Sequence, residues 1–88
     1  MTEPTTADEI TFSIHEEVIR ADDRYGPFRS AHEGFGVLAE EVAELLGAIQ
    51  SNDGARITAE AVQVSAVAAR IATSMLNRET RERSGVAE

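Results

Sequence analysis

The sequence predicts an all-α fold: a helical hairpin preceded by a short N-terminal helix, completed into a four-helix bundle by oligomerisation. Three observations predict it. Apolar residues recur at helical spacing in three segments. Two of those segments open on a Ser or Thr followed three residues later by Glu, the spacing of a capping box. Two breaker clusters, Tyr25-Gly26-Pro27 and Ser51-Asn52-Asp53-Gly54, fall between the segments.

The first helix is expected over residues 7–22. Thr6 and Glu9 form its capping box, and Ile10, Ile14 and Val18 recur every four residues, flanked by Phe12 and Ile19. Tyr25-Gly26-Pro27 ends it, because Gly suits a left-handed position after a helix and Pro cannot continue one. Residues 30–50 form the second helix, opened by Ser30 and Glu33. At about 100° per residue, Phe35, Leu38, Val42, Leu45, Leu46 and Ile49 gather on one face, with Glu33, Glu40 and Glu44 nearly opposite. Gly34, Gly36 and Gly47 each weaken that helix by about 1 kcal/mol relative to Ala, which calls for close backbone approach or packing in return.

Asp53 is the expected N-cap of the third helix, which runs from residue 55 to 77. Its apolar stripe is Ile57, Val64, Val67, Ile71 and Met75, with Ala61 and Ala68 beside it permitting close contact. Glu60 projects into that stripe, with Gln63 on its edge. The charged run after it lacks periodicity and is expected to fray. The domain reading is thus a flexible N-terminus over 1–5, a helical domain over 6–78 and a frayed or disordered tail over 79–88.

Eighty-eight residues make one small domain. A chain of this size buries only about 60–65% of its unfolded surface, so its core is thin and a partner subunit would thicken it. Net charge is −8, which repels phosphate backbones and argues against nucleic acid as a partner. Cysteine is absent, so disulfides and thiolate metal sites are ruled out. No apolar run is long enough to span a bilayer, and the polar, acidic start is unlike a signal peptide. A cytoplasmic protein with no membrane partner is the expectation.

Glu41 and Glu44 stand at i and i+3, about 60° apart on one helix, and can converge on one ligand. Facing them are Glu60 and Gln63, again at i and i+3. Together they make an oxygen-rich pocket of the kind that hard cations such as Mg²⁺ or Mn²⁺ prefer. The pattern E-E-x-x-E alone equally describes a solvated helix face. Glu60 is harder to place that way, because burying an unpaired carboxylate costs several kcal/mol unless a cation or hydrogen bonds compensate. Arg56 is the nearby arginine that could compensate it without any catalysis.

The stretch RYGPFRSAHEGFGVLAEEVAELLGAI, followed by EAVQVSAVAARIA, resembles the MazG-like all-alpha nucleotide pyrophosphohydrolases, particularly the small phage-type members. The resemblance covers residues 24–72. The family pattern is E-E-x-x-E on one helix and E-x-x-D on the next. Here the first half stands as Glu40-Glu41-x-x-Glu44, and the second reads Glu60-x-x-Gln63, with Gln in the place of Asp.

The resemblance implies hydrolysis of the α–β phosphoanhydride of a nucleoside triphosphate, giving monophosphate and pyrophosphate. It implies Glu41, Glu44 and Glu60 as Mg²⁺ ligands, with Mn²⁺ as the alternative ion and Gln63 at the fourth ligand position. An amide oxygen is neutral, so cation affinity should fall there. Glu40 would orient or deprotonate the attacking water, alongside Glu41. A homodimer or tetramer with sites at subunit contacts is implied as well, located in the host cytoplasm if phage-encoded.

Lysine is absent, so the arginines must meet the phosphates. Arg56, Arg70 or Arg78 on the third helix, or Arg24 or Arg29 in the connecting segment, are the candidates, and the sequence does not choose among them. Tyr25 or Phe28 could stack on a base, although an aromatic beside a Gly-Pro turn also serves as a packing anchor. His32 is expected to pack or bond locally, and His15 to lie on the surface. Two rival readings stand beside the enzyme: a non-catalytic nucleotide-binding relative, suggested by Gln63, and a helical dimerisation module whose acids are merely solvated.

Overall fold

A computed structural model describes residues 6–83, which form three α-helices: α1 (Ala7–Tyr25), α2 (Ala31–Gln50) and α3 (Gly54–Arg83). The expected loose segment 1–5 and residues 84–88 lie outside the described residues. The α1 capping box is complete: Thr6 Oγ1 accepts from the Glu9 N–H at 3.1 Å, and Glu9 accepts from the Thr6 N–H at 2.7 Å. Three more residues than expected join the end of α1, which stops where Gly26 takes φ +78° and donates its N–H to Asp22 O at 2.8 Å.

At the start of α2 only half the expected box forms. Ser30 Oγ accepts from the Glu33 N–H, but the Glu33 carboxylate reaches one residue further back, to the Arg29 N–H at 2.7 Å. The α2–α3 turn uses Asn52 at φ 58°, a conformation Asn tolerates, and Asp53 caps α3 through the Arg56 N–H at 3.2 Å. Helix α3 continues to Arg83, so residues 79–83 are helical where fraying was expected. Arg and Glu are good helix formers, and no Gly or Pro interrupts the chain until Gly85.

Helix α3 is the central element. It packs against both α1 and α2, whereas α1 and α2 do not pack against each other. One face of α3 meets α2, with Ile71 against Gly34. A neighbouring face, with Ala66, Arg70 and Ser74 buried, meets α1 and the 26–30 connection. Ala66 thus fills the close-contact role expected of Ala68, which is exposed. Helix α2 approaches α3 at Gly34, where a Cβ would lie 2.5 Å from Ile71 Cγ1 and 3.1 Å from Phe28 Cδ2. The glycine is there because no side chain fits.

The connection between α1 and α2 is strapped to α3 by three residues spaced i, i+4 and i+8. Arg70 donates from Nη2 to Gly26 O at 3.0 Å, Ser74 Oγ accepts from the Phe28 N–H at 3.0 Å, and Arg78 donates from Nη1 to Arg29 O at 3.1 Å. Arg70 also reaches Asp22 Oδ1 from Nε at 2.8 Å and stacks over the Phe28 ring at 4.3 Å. Its 5% exposure reflects this complete enclosure.

The orientation of α2 corrects the expected apolar face. Its buried positions are Gly34 and Ala48, with Val37, Leu38, Glu41 and Leu45 half-buried between them. Phe35, Val42, Leu46 and Ile49 are about half exposed or more. The packed face is therefore turned by roughly 80° from the centre of the hydrophobic one, counting about 100° per residue. Small residues let α2 approach α3 closely, and that approach carries Glu41 inward and leaves the large apolar side chains outside. Among the described residues the buried hydrophobic core is only Ala21, Ala48, Ala66 and Val67, with no large side chain fully enclosed.

Candidate functional site

The turn of α2 toward α3 sets the site. Glu41 and Glu44, one helical turn apart on α2, meet Glu60 from the antiparallel α3. Each offers a carboxylate oxygen, and the three oxygens lie within 4.8 Å of one another. Glu41 and Glu60 are half-buried and Glu44 is exposed. No ion pair or hydrogen bond neutralises the three among the described residues. Arg56, one turn before Glu60, turns to Ser51 Oγ at 3.5 Å instead, so it does not compensate Glu60.

Crowding of like charge has an electrostatic signature. The Glu41 carboxyl is pushed above its ordinary range, first by burial and then by the neighbouring charges of Glu44, Glu60, Glu40 and Glu17. A divalent cation would relieve both causes, and an all-oxygen carboxylate donor set suits Mg²⁺ or Mn²⁺ rather than a softer metal. The residues present therefore fit such an ion.

A cavity of about 420 Å³ adjoins this cluster, in the gap between α1 and α2 with α3 as its floor. Glu17, Arg20, Phe28, Glu41, Gln63 and Arg70 contribute to its wall. Glu41 thus belongs to both features: its carboxylate joins the acidic cluster while its side chain lines the cavity.

Glu17 enters from α1. Its carboxylate accepts from Arg20 Nε at 2.9 Å and from Arg20 Nη2. Arg20 above all, assisted by the Gln63 amide, holds the Glu17 carboxyl below its ordinary range. Gln63, about 60° round α3 from Glu60 at about 100° per residue, lines the cavity together with Glu17 and Glu41.

The remaining candidates are dispersed. Glu40 is exposed on α2 beside the cluster. Arg70 lines the cavity, but its Nε and Nη2 are committed to Asp22 and Gly26, so its first role is to hold the 26–30 connection. Arg78 is similarly spent on Arg29 O, and Arg56 lies at the α2–α3 turn, outside the cavity wall. Tyr25, 66% exposed, stands at the cavity rim with the Arg24 guanidinium 5.4 Å from its ring centre. His15 and His32 are both exposed.

Glu17 and Arg20 were not among the sequence candidates. Their signal was an i, i+3 acid–base pair beside the Ile14, Val18 and Ala21 positions, on a helix that reads chiefly as an apolar stripe. Comparison with family models, curated proteins and solved structures finds no match. The MazG-like resemblance accordingly rests on the sequence motif alone.

Proposed function

We propose that this chain is a divalent-cation-dependent nucleotide pyrophosphohydrolase, converting a nucleoside triphosphate and water to a monophosphate and pyrophosphate. The single observation that carries the reading is the double role of Glu41. A three-carboxylate cluster able to hold Mg²⁺ opens directly onto a cavity within the roughly 300–1,000 Å³ range of small-molecule sites. Phosphates bound to a cation at the cluster would leave the nucleoside facing the cavity.

In this reading Glu41, Glu44 and Glu60 hold the ion, which offsets phosphate charge and activates water when bound. Glu40, exposed next to Glu41, is positioned to accept a proton from solvent-side water. Arg20, paired with Glu17, and Arg70, paired with Asp22, are the cationic side chains at the cavity wall.

Assembly belongs to the same proposal. Phe35, Val42, Leu46 and Ile49 repeat along α2 at i, i+7, i+11 and i+14, a heptad-like stripe left outside the monomer. Pairing two copies through it would bury four large side chains from each and complete a four-helix bundle around the α2–α3 hairpins.

The stripe also favours a second reading, a helical interaction module with no catalysis. Pyrophosphate release from a panel of NTPs and dNTPs, with Mg²⁺, with Mn²⁺ and with EDTA, separates the two. Metal-dependent release supports the enzyme. Silence across the panel, with the stripe still driving self-association, supports the module.

A further inference from the structure

We propose that the cavity between α1 and α2 is the base pocket of the nucleotide site, and that Glu17 selects bases bearing an exocyclic amine. The assignment rests on the nucleotide reading above for its ligand class. Its specificity comes from residues that the acidic motif does not include.

A carboxylate accepts only, and has about four lone-pair positions. Arg20 occupies one on each oxygen through Nε and Nη2, and the Gln63 amide takes at most a third. At least one acceptor position stays open on a side chain that lines the cavity. Arg20 also fixes the carboxylate in place through two charge-assisted hydrogen bonds, and an ionised carboxylate cannot turn into a donor. An amine presented there gains a charge-assisted hydrogen bond, whereas a carbonyl oxygen in the same position meets an anion.

The rest of the wall suits a flat heterocycle. Ala21, Val37, Ala66 and Val67 supply apolar surface, and Phe28 is held rigidly by Arg70 stacked over its ring and by Ser74 on its backbone. Tyr25 at the rim offers a second ring. Cytosine against uracil, and adenine against hypoxanthine, are the comparisons that isolate the group Glu17 reads, since each pair differs chiefly in amine versus carbonyl.

The test uses free nucleosides on the full chain in EDTA, so that neither the cation nor hydrolysis enters. Cytidine, uridine, adenosine and inosine are titrated separately, and backbone amide shifts of Gly26, Phe28 and Val67 are followed by NMR. Saturable shifts are expected for cytidine and adenosine, with affinities roughly tenfold or more above uridine and inosine. Glu17→Gln, whose amide both donates and accepts, should bring each pair to within about threefold while leaving the amide spectrum dispersed.

Equal affinities in the wild type would overturn the selection by Glu17. So would a preference that survives Glu17→Gln. Shifts absent up to the solubility limit would overturn the pocket itself, whatever the pyrophosphate assay gives. Should Glu17→Gln fail to fold, Arg20→Gln serves instead: it keeps the carboxylate, and the amine preference must persist in it. Selective nucleoside binding without any pyrophosphate release would leave the pocket standing and remove the hydrolase.

Discussion

Glu41 and Glu60 come from different helices and nonetheless bring carboxylate oxygens within 4.8 Å of each other, with Glu44 beside them. No hydrogen bond or ion pair among the described residues brings the two together. The hairpin holds them there because α2 packs through Gly34 and Ala48, which rolls Glu41 toward α3.

Such a pair should cost stability when no cation is present. A carboxyl raised above its unfolded value contributes most below the unfolded value near 4.5, and that contribution is lost as pH rises through the folded value. Glu41→Gln should therefore stabilise the cation-free protein at pH 7, and the gain should vanish in acid. Thermal melts of both proteins at pH 4 and pH 7 in EDTA check this. Glu17 runs the other way: its lowered carboxyl stabilises the fold above the unfolded value and loses that effect as pH falls through the folded one.

Gly34 and Gly36 should respond oppositely to the same substitution. A Cβ at Gly34 meets Ile71 Cγ1 at 2.5 Å, so Gly34→Ala must displace the α2–α3 contact, at a net cost of about 1–2 kcal/mol after the helix-propensity gain. A Cβ at Gly36 meets nothing within 4 Å, and Gly36→Ala should stabilise by up to about 1 kcal/mol. Urea denaturation of the two variants reads the contrast directly.

Removal of the strap on the 26–30 connection should destabilise the fold without touching the acidic cluster. Ser74→Ala leaves the Phe28 N–H without its acceptor and should cost about 1–2 kcal/mol. Arg70→Ala removes two hydrogen bonds and a ring contact, and should cost about 2–3 kcal/mol. Arg70→Lys should recover little, since an ammonium cannot reproduce the fork that spans Asp22 and Gly26. Denaturation midpoints for the three variants, with cation affinity measured in parallel, separate this role from a phosphate-binding one.

The exposed stripe on α2 predicts self-association. Wild-type protein should sediment as a dimer or larger species, and Leu46→Glu combined with Ile49→Glu should shift it toward monomer by placing charge on the apolar face. A wild-type monomer across the micromolar range would contradict the bundle proposed for the oligomer.

The helices were legible because their signals are local. Thr6 with Glu9, Asp53 before α3 and Gly26 after α1 all act within a few residues, and each sits where its spacing indicates. Glu41, Glu44 and Glu60 were legible as a cluster because an i, i+3 pair and an acid inside an apolar stripe are anomalies that a sequence displays. The rotation of α2 was not. Hydrophobicity does not say which residues a chain buries against itself, and Phe35, Val42, Leu46 and Ile49 stay about half exposed or more while Gly34 and Ala48 are buried.

The arginines could not be told apart in the sequence for a related reason. A guanidinium serves a carbonyl, a carboxylate or a phosphate equally well, so Arg70 and Arg78 could be placed only once the 26–30 connection was seen lying across α3. Gln63 reads in the motif as a ligand position, and in the fold it lines the cavity that Glu17 enters from α1. A contact between residues on α1 and α3 has no local spacing to announce it.

A titration with Mn²⁺ followed by electron paramagnetic resonance is the most direct test of the cation site, because it counts free ion without requiring turnover. Wild-type protein should deplete the free Mn²⁺ signal saturably, with Mg²⁺ competing it back, and Glu41→Gln and Glu60→Gln should each weaken binding by roughly tenfold or more. Identical depletion curves for the wild type and both variants would contradict a cation held by Glu41, Glu44 and Glu60, and would return the cluster to a solvated acidic face.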